Sequence, residues 1–149
     1  MTKTYRLNPI TRVVNAIFSA MTRRGRGAEY RYVLTVQGRK SGVARSTPVD
    51  VMEVGGQRWL VAPDGDVNWV KNVRAAGQLD LSRARSFSRW KAEEVRGLEA
   101  APAIRRYIKS VPVTRPYWEV ASESSDEALS AASEHHPVFR LAPLPNKPS

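Results

Sequence analysis

The chain has 149 residues, 42% hydrophobic and 26% charged, a globular balance that excludes an intrinsically disordered protein. It has no cysteine, so neither a disulfide framework nor a thiolate metal site is available. Its two histidines, His135 and His136, are adjacent, which argues against a metal centre. The net charge of +10 is unevenly spread: residues 1–45 hold ten basic side chains and one acid, Glu29, for +9, and the remainder nets +1. Such asymmetry suits a polyanionic partner near the N-terminal part, whether nucleic acid, acidic lipid or a multiply charged cofactor, with simple solubility as the bland alternative. The length predicts one domain. No run approaches the roughly 20 apolar residues of a membrane span, and Arg12, Asn15 and Ser19 break up any signal-peptide core. A cytoplasmic protein is expected.

Asn8-Pro9 reads as a cap followed by a first-turn proline. Ile10, Val13, Val14, Ile17, Phe18 and Met21 then recur at helical spacing on one face, Arg23 and Arg24 suit the C-terminal dipole, and Gly25 suits the stop. Three fates compete for this amphipathic helix: packing over the domain, a dimer contact, or lying peripherally on the inner face of an anionic membrane.

Tyr32 to Val36 is β-branched and apolar and predicts a half-buried strand. Gly38-Arg39-Lys40-Ser41-Gly42 follows, a sharp bend carrying a guanidinium, an ammonium and a hydroxyl between two glycines. Arg45, Ser46 and Thr47 open the next strand and Pro48 fixes its φ there. Basic and hydroxyl side chains recurring on both sides of one bend equip it for a phosphate or similar oxyanion, against the plainer reading of a solvated hairpin tip. It is not a nucleotide P-loop. That motif places Gly-Lys-Ser/Thr before a helix, whereas Arg39 precedes Lys40 and residues 44–54 alternate like a strand.

Gly55-Gly56 between Val51–Val54 and Arg58–Val61 predicts a short hairpin. Asp66 is expected to cap a helix holding Trp69, Val70 and Val73, with Gly77 ending it. Leu79 and Leu81 mark a strand, a turn falls near Ala84-Arg85, and Phe87 to Val95 is a further strand. Pro102 opens a helix with Ile104, Tyr107 and Ile108. Residues 110–124, irregular and containing Pro112, Pro116, Tyr117 and Trp118, read as a lid or binding loop. Residues 125–133 predict a short capped helix with an acidic first turn, and Pro143, Pro145 and Pro148 mark a disordered tail.

Taken in order, Leu34 to Gly42, Arg45-Ser46-Thr47-Pro48, Gly55-Gly56, Trp59 to Ala62, then Trp69, Asn72, Arg74 and Ala75 resemble the deazaflavin-dependent nitroreductase family, split β-barrel oxidoreductases of actinobacteria that use coenzyme F420. His136 to Leu141 looks like a strand closing one branch of that group. The resemblance spans most of Tyr32 to Val95 and implies a mainly β fold with helices (α+β): a split β-barrel, flavin-reductase or FMN-binding-like, over residues 29–142. Residues 1–28 would then be an N-terminal helix and linker, and 143–149 the tail. It further implies that Arg39, Lys40, Ser41, Arg45, Ser46, Thr47 and Pro48 hold the coenzyme's phosphate and adjoining chain. Val61, Ala62, Pro63 and Asp64 would line the deazaflavin ring with main-chain groups, and Asn68, Trp69 and Asn72 would cover it from a short helix. Pro63-Asp64-Gly65-Asp66 departs from the family's usual Ser-Lys-Gly-Gly, and Val70 from its Tyr.

The activity so implied is hydride transfer from reduced deazaflavin to a small electron-poor acceptor: a quinone, nitroaromatic or activated alkene. Protein residues would bind, orient and exclude water. No Ser/His/Asp set or carboxylate pair stands out; Tyr107, Tyr117 or solvent could deliver the product's proton, and no catalytic residue is assigned. A second reading keeps the barrel and binds flavin mononucleotide or a fatty-acid-like amphiphile without catalysis. A third is a basic nucleic-acid module, for which Tyr30 and Tyr32 beside Arg31 are the one hint; none is expected as partner. Monomer and homodimer stay open.

Overall fold

The computed structural model describes residues 30–83 and 86–145 together with Val13, Ala16 and Ile17, which are helical. The rest of the helix expected after Asn8-Pro9, the turn at Ala84-Arg85 and residues 146–149 lie outside the described residues.

Six strands make the body: β1 (Arg31–Gln37), β2 (Ala44–Val54), β3 (Gln57–Val61), β4 (Gln78–Arg83), β5 (Ser86–Val95) and β6 (Val138–Leu144). They close into an antiparallel barrel in the order β1-β2-β3-β6-β5-β4, with β4 returning to β1. Closure pairs every strand on both sides over at least part of its length, and alternation along each strand supplies an inner and an outer face. Leu34, Val36, Val49, Val51, Leu60, Leu79, Leu81, Phe139 and Leu141 fill the interior. Burying one such leucine or phenylalanine side chain contributes about 1.5–3 kcal/mol.

Helix α1 (Asn68–Ala76) lays Val70 and Val73 onto this interior cluster and ends on Gly77, whose φ of 74° is the left-handed C-terminal stop. Asp66 does not cap it. The capping position is Val67, with no side-chain hydrogen bond, and the Asp66 carboxylate instead pairs with Arg74 at 3.0 Å. Arg74 also makes a two-pronged bond to Glu94 of β5, at 2.7 and 2.8 Å, so the cation in the last turn ties helix to barrel.

Helices α2 (Ala101–Ser110) and α3 (Asp126–Ala132) cover the outer face of β2, β3 and β6, where Met52, Trp59, Val61 and Val138 meet Ile104, Tyr107, Ile108 and Leu129. Ser125 caps α3, its hydroxyl accepting from the Ala128 N–H at 3.1 Å, with Asp126 and Glu127 in the first turn as the sequence predicts. The irregular stretch after α2 holds a 3-10 turn (Pro112–Tyr117), which buries Thr114 and leaves Tyr117 60% exposed. Pro143 and Leu144, expected in the tail, instead belong to β6, where they pair with Trp90 and Arg89. A proline is tolerated there because it sits near the end of a strand.

Candidate functional site

The bend after β1 is closed by two backbone bonds, Gly38 N–H to the Val43 carbonyl at 2.8 Å and Gly42 N–H to the Gly38 carbonyl at 2.9 Å. Gly42 has a φ of 75°, which an L side chain rarely adopts. Gly38 is required for a different reason: a Cβ there would stand 3.0 Å from the Val43 carbonyl and 3.2 Å from Ser41 Oγ. The Ser41 hydroxyl accepts from the Val43 N–H at 3.1 Å, which stiffens the bend from within. From α1, the buried Asn72 reaches across, its Oδ1 accepting from the Arg39 N–H at 3.0 Å and from the Arg39 guanidinium at 2.8 Å.

Lys40 and Arg45 are exposed, and neither has an ion-pair partner among the described residues. Lys40 on the locked bend and Arg45 in the strand that leaves it would both gain from an anion held beside the bend.

β2 supplies the adjoining wall. Its ladder with β1 runs from Ala44 to Asp50, but its ladder with β3 covers only Val51 to Val54. The other edge of residues 44–50 is therefore the split in the barrel. Val51 N–H donates to the Tyr30 carbonyl, so alternation turns the backbone of Ser46 and Pro48 toward the open edge. Pro48 fits because the N–H it lacks would have pointed where no strand pairs among the described residues. The same alternation splits the predicted site residues. Arg45 and Thr47 share the inner face with Val49 and Val51, whereas Ser46 and Pro48 lie on the outer face. There Ser46 Oγ is hydrogen-bonded to Thr35 Oγ1 at 2.8 Å.

The turn after β3 forms the third side. Val61 and Ala62 are buried. Ala62 N–H donates to the Pro137 carbonyl at 2.9 Å, and its own carbonyl accepts from Gly65 N–H at 3.3 Å. The Pro63 carbonyl is bonded to His136 Nδ1 at 2.9 Å. Most main-chain groups expected to face a ring are thus engaged within the protein, and exposed Asp64 is the residue of this turn most available to a ligand. Asn68 is exposed at the start of α1. Trp69 is half-buried against Phe139, ring centroids 6.3 Å apart, so it serves as core and as wall. Asn72 holds the bend rather than presenting its carbonyl to a ligand.

Tyr107 sits within range of the Asp64 charge but is not open to the cleft. It is buried under α2 with its hydroxyl donating to Asp50 at 3.4 Å, and Asp50 is bonded to Arg31. Burial first, and then the Asp50 charge, pushes the phenol well above its ordinary value, so it keeps its proton. Sequence reasoning weighed His136 only against a metal role and as the start of a closing strand, and gave it no part in the site. Among the described residues, no cluster of three or more His, Cys, Asp or Glu could hold a metal ion, and no helix is long and apolar enough to cross a membrane.

A sequence model of the F420H(2)-dependent quinone reductases matches residues 10–129. The chain belongs to this family. Its activity is that of an F420-dependent oxidoreductase and its cofactor is F420. Similar solved structures include an F420-H2 dependent reductase (FDR-A), with a TM-score of 0.55 at 20% identity, covering 76% of this chain and 95% of that one. A second, described as a domain-swapped dimer, gives 0.57 at 20% identity over 89% and 98% of the two chains. HutZ, the heme storage protein from Vibrio cholerae, gives 0.56 at 10% identity over 87% and 92%. At these identities the likeness shows the fold. No curated protein matches the chain.

Proposed function

We propose that Lys40 and Arg45, with the Arg39 guanidinium and Thr47, hold the phosphodiester of F420 on the Gly38–Gly42 bend. The turn at Ala62–Asp64 and the Trp69 ring border the deazaflavin, and the acceptor is a quinone, in keeping with the family's description. The observation that carries this reading is a bend braced by Asn72 whose Lys40, and Arg45 in the strand beside it, have no ion-pair partner among the described residues. The donor set suits the group: guanidinium, ammonium and hydroxyl are hard, multivalent partners for phosphate oxygens.

Bound F420 supplies the hydride chemistry. The chain's own residues bind and orient it: the charged bend sets the chain end, the inner wall of β2 sets depth, and Trp69 with Phe139 gives a dry apolar side. Tyr107 is buried with its hydroxyl committed to Asp50, so the product's proton is assigned to solvent or to exposed Tyr117. One similar structure is a domain-swapped dimer, which supports a homodimer here, and light scattering of the purified protein tests it.

The deciding experiment is titration of F420 into wild-type protein and Lys40→Ala/Arg45→Ala. A charge-assisted hydrogen bond contributes about 1.5–3 kcal/mol, so losing two should weaken binding at least tenfold while the circular dichroism stays the same. Equal affinity in the two proteins defeats the assignment.

A further inference from the structure

His136 is 5% exposed, and both of its ring nitrogens face oxygen: Nδ1 the Pro63 carbonyl at 2.9 Å, Nε2 the Glu119 carboxylate at 2.9 Å. A carbonyl only accepts, so Nδ1 carries a hydrogen and donates it, while Nε2 faces the Glu119 carboxylate. Trp118 stacks on the imidazole with ring centroids 4.0 Å apart. The ring therefore braces three segments: the start of β6, the stretch Trp118–Glu119 that follows the 3-10 turn, and the turn after β3. Neighbouring residues grip the same turn. Pro137 takes the Ala62 N–H, and Gly65 sits so near the His135 carbonyl that a Cβ would lie 3.4 Å from it.

A merely structural histidine needs partners but has no need for them to be on the ring-side turn. We propose that His136, oriented by Glu119, is a positioning residue that sets Pro63 and Asp64 against the deazaflavin ring. The inference rests on the coenzyme placement proposed above. Fixing one carbonyl of a four-residue turn determines where the next residue points, and a misplacement of about 1 Å at a reacting centre costs on the order of a hundredfold in rate. Glu119, half exposed, couples that geometry to the segment carrying Tyr117. The brace acts on orientation, and grip on the phosphodiester is left to the basic bend.

The test uses the full chain and the variants His136→Leu, His136→Asn and Glu119→Ala, with Lys40→Ala/Arg45→Ala as comparator. Asparagine can place an N–H where Nδ1 donates; leucine cannot. In protein without coenzyme, the Asp64 and Gly65 amide resonances should move in His136→Leu and return in His136→Asn. With F420 added, His136→Leu should bind within about threefold of wild type. Its bound chromophore should absorb more like the free coenzyme, and kcat should fall roughly tenfold to a hundredfold. Glu119→Ala should show the same split in weaker form, and it stands in for His136→Leu if that protein does not fold. Unmoved Asp64 resonances, or unchanged kcat and spectrum in both His136→Leu and Glu119→Ala, would overturn the proposal. That result leaves the coenzyme site standing as long as Lys40→Ala/Arg45→Ala loses F420. Retention of F420 by this comparator would remove both.

Discussion

Asn72 Oδ1 accepts two hydrogen bonds from one residue, the backbone N–H of Arg39 at 3.0 Å and its guanidinium at 2.8 Å. The helix thereby holds the basic bend open before any ligand arrives. Removing the amide leaves a backbone donor without its acceptor and frees the Arg39 side chain, so Asn72→Ala should cost about 1–3 kcal/mol of stability. It should also weaken F420 binding, because ordering of the bend is deferred to the binding step. Thermal melts and a coenzyme titration check both. A variant that melts lower yet binds as tightly would mean that the bend needs no brace.

Gly38→Ala addresses the same bend from its other side. A methyl group 3.0 Å from the Val43 carbonyl presses on the acceptor of the bond that closes the loop, while Ser41 Oγ at 3.2 Å can rotate away. Overpacking of this kind costs about 1–3 kcal/mol. The expected outcome is a lower melting temperature with a loss of F420 affinity of similar size to that of Asn72→Ala. Wild-type affinity in this variant would show that the bend's shape is irrelevant to the ligand.

The barrel was legible because its strands are short, β-branched and punctuated by glycine: Tyr32–Val36, Gly55-Gly56 and Leu79 with Leu81 all fall where the sequence pattern puts them. Gly77 marked the end of α1 correctly, with Trp69, Val70 and Val73 inside it, and Ser125 with its acidic neighbours gave α3. Asp66 misled, because a capping residue and an ion-pair partner are the same residue type, and only the fold brings Arg74 within 3.0 Å. The division of Arg45 and Thr47 from Ser46 and Pro48 follows from strand alternation, yet a list of nearby polar residues hides it. His136 was beyond reach. Its partner Pro63 is 73 residues away in sequence, and nothing in a His-His pair announces a carbonyl acceptor.

Tyr107→Phe should leave turnover with a quinone unchanged at every pH where the enzyme is active. The phenol is buried, its hydroxyl is committed to Asp50, and burial and the Asp50 charge both oppose its ionisation, which makes it a poor proton donor. A stability loss of about 0.5–1.5 kcal/mol is expected from the missing hydroxyl. A fall in kcat, or a pH profile displaced from the wild-type curve, would restore Tyr107 as a candidate proton donor.

Asp80 gives a pH-dependent stability with a definite sign. Its carboxyl lies on β4, partly buried, with Arg89 Nε donating to it at 3.0 Å. Burial raises its pKa, and the Arg89 hydrogen bond and charge offset this only in part. The folded protein therefore holds the Asp80 proton more tightly than the unfolded chain, whose carboxyl titrates near ~3.9. Between those two values the native state binds more protons, so this group's contribution falls as pH rises through the window. Asp80→Asn does not titrate. Its stability relative to wild type should accordingly climb from about pH 4 toward neutrality and then level off, whatever constant offset the altered bond to Arg89 adds. Urea denaturation of both proteins across that range measures the slope. A difference that stays flat, or declines as pH rises, would show that Arg89 more than compensates the burial of the carboxylate.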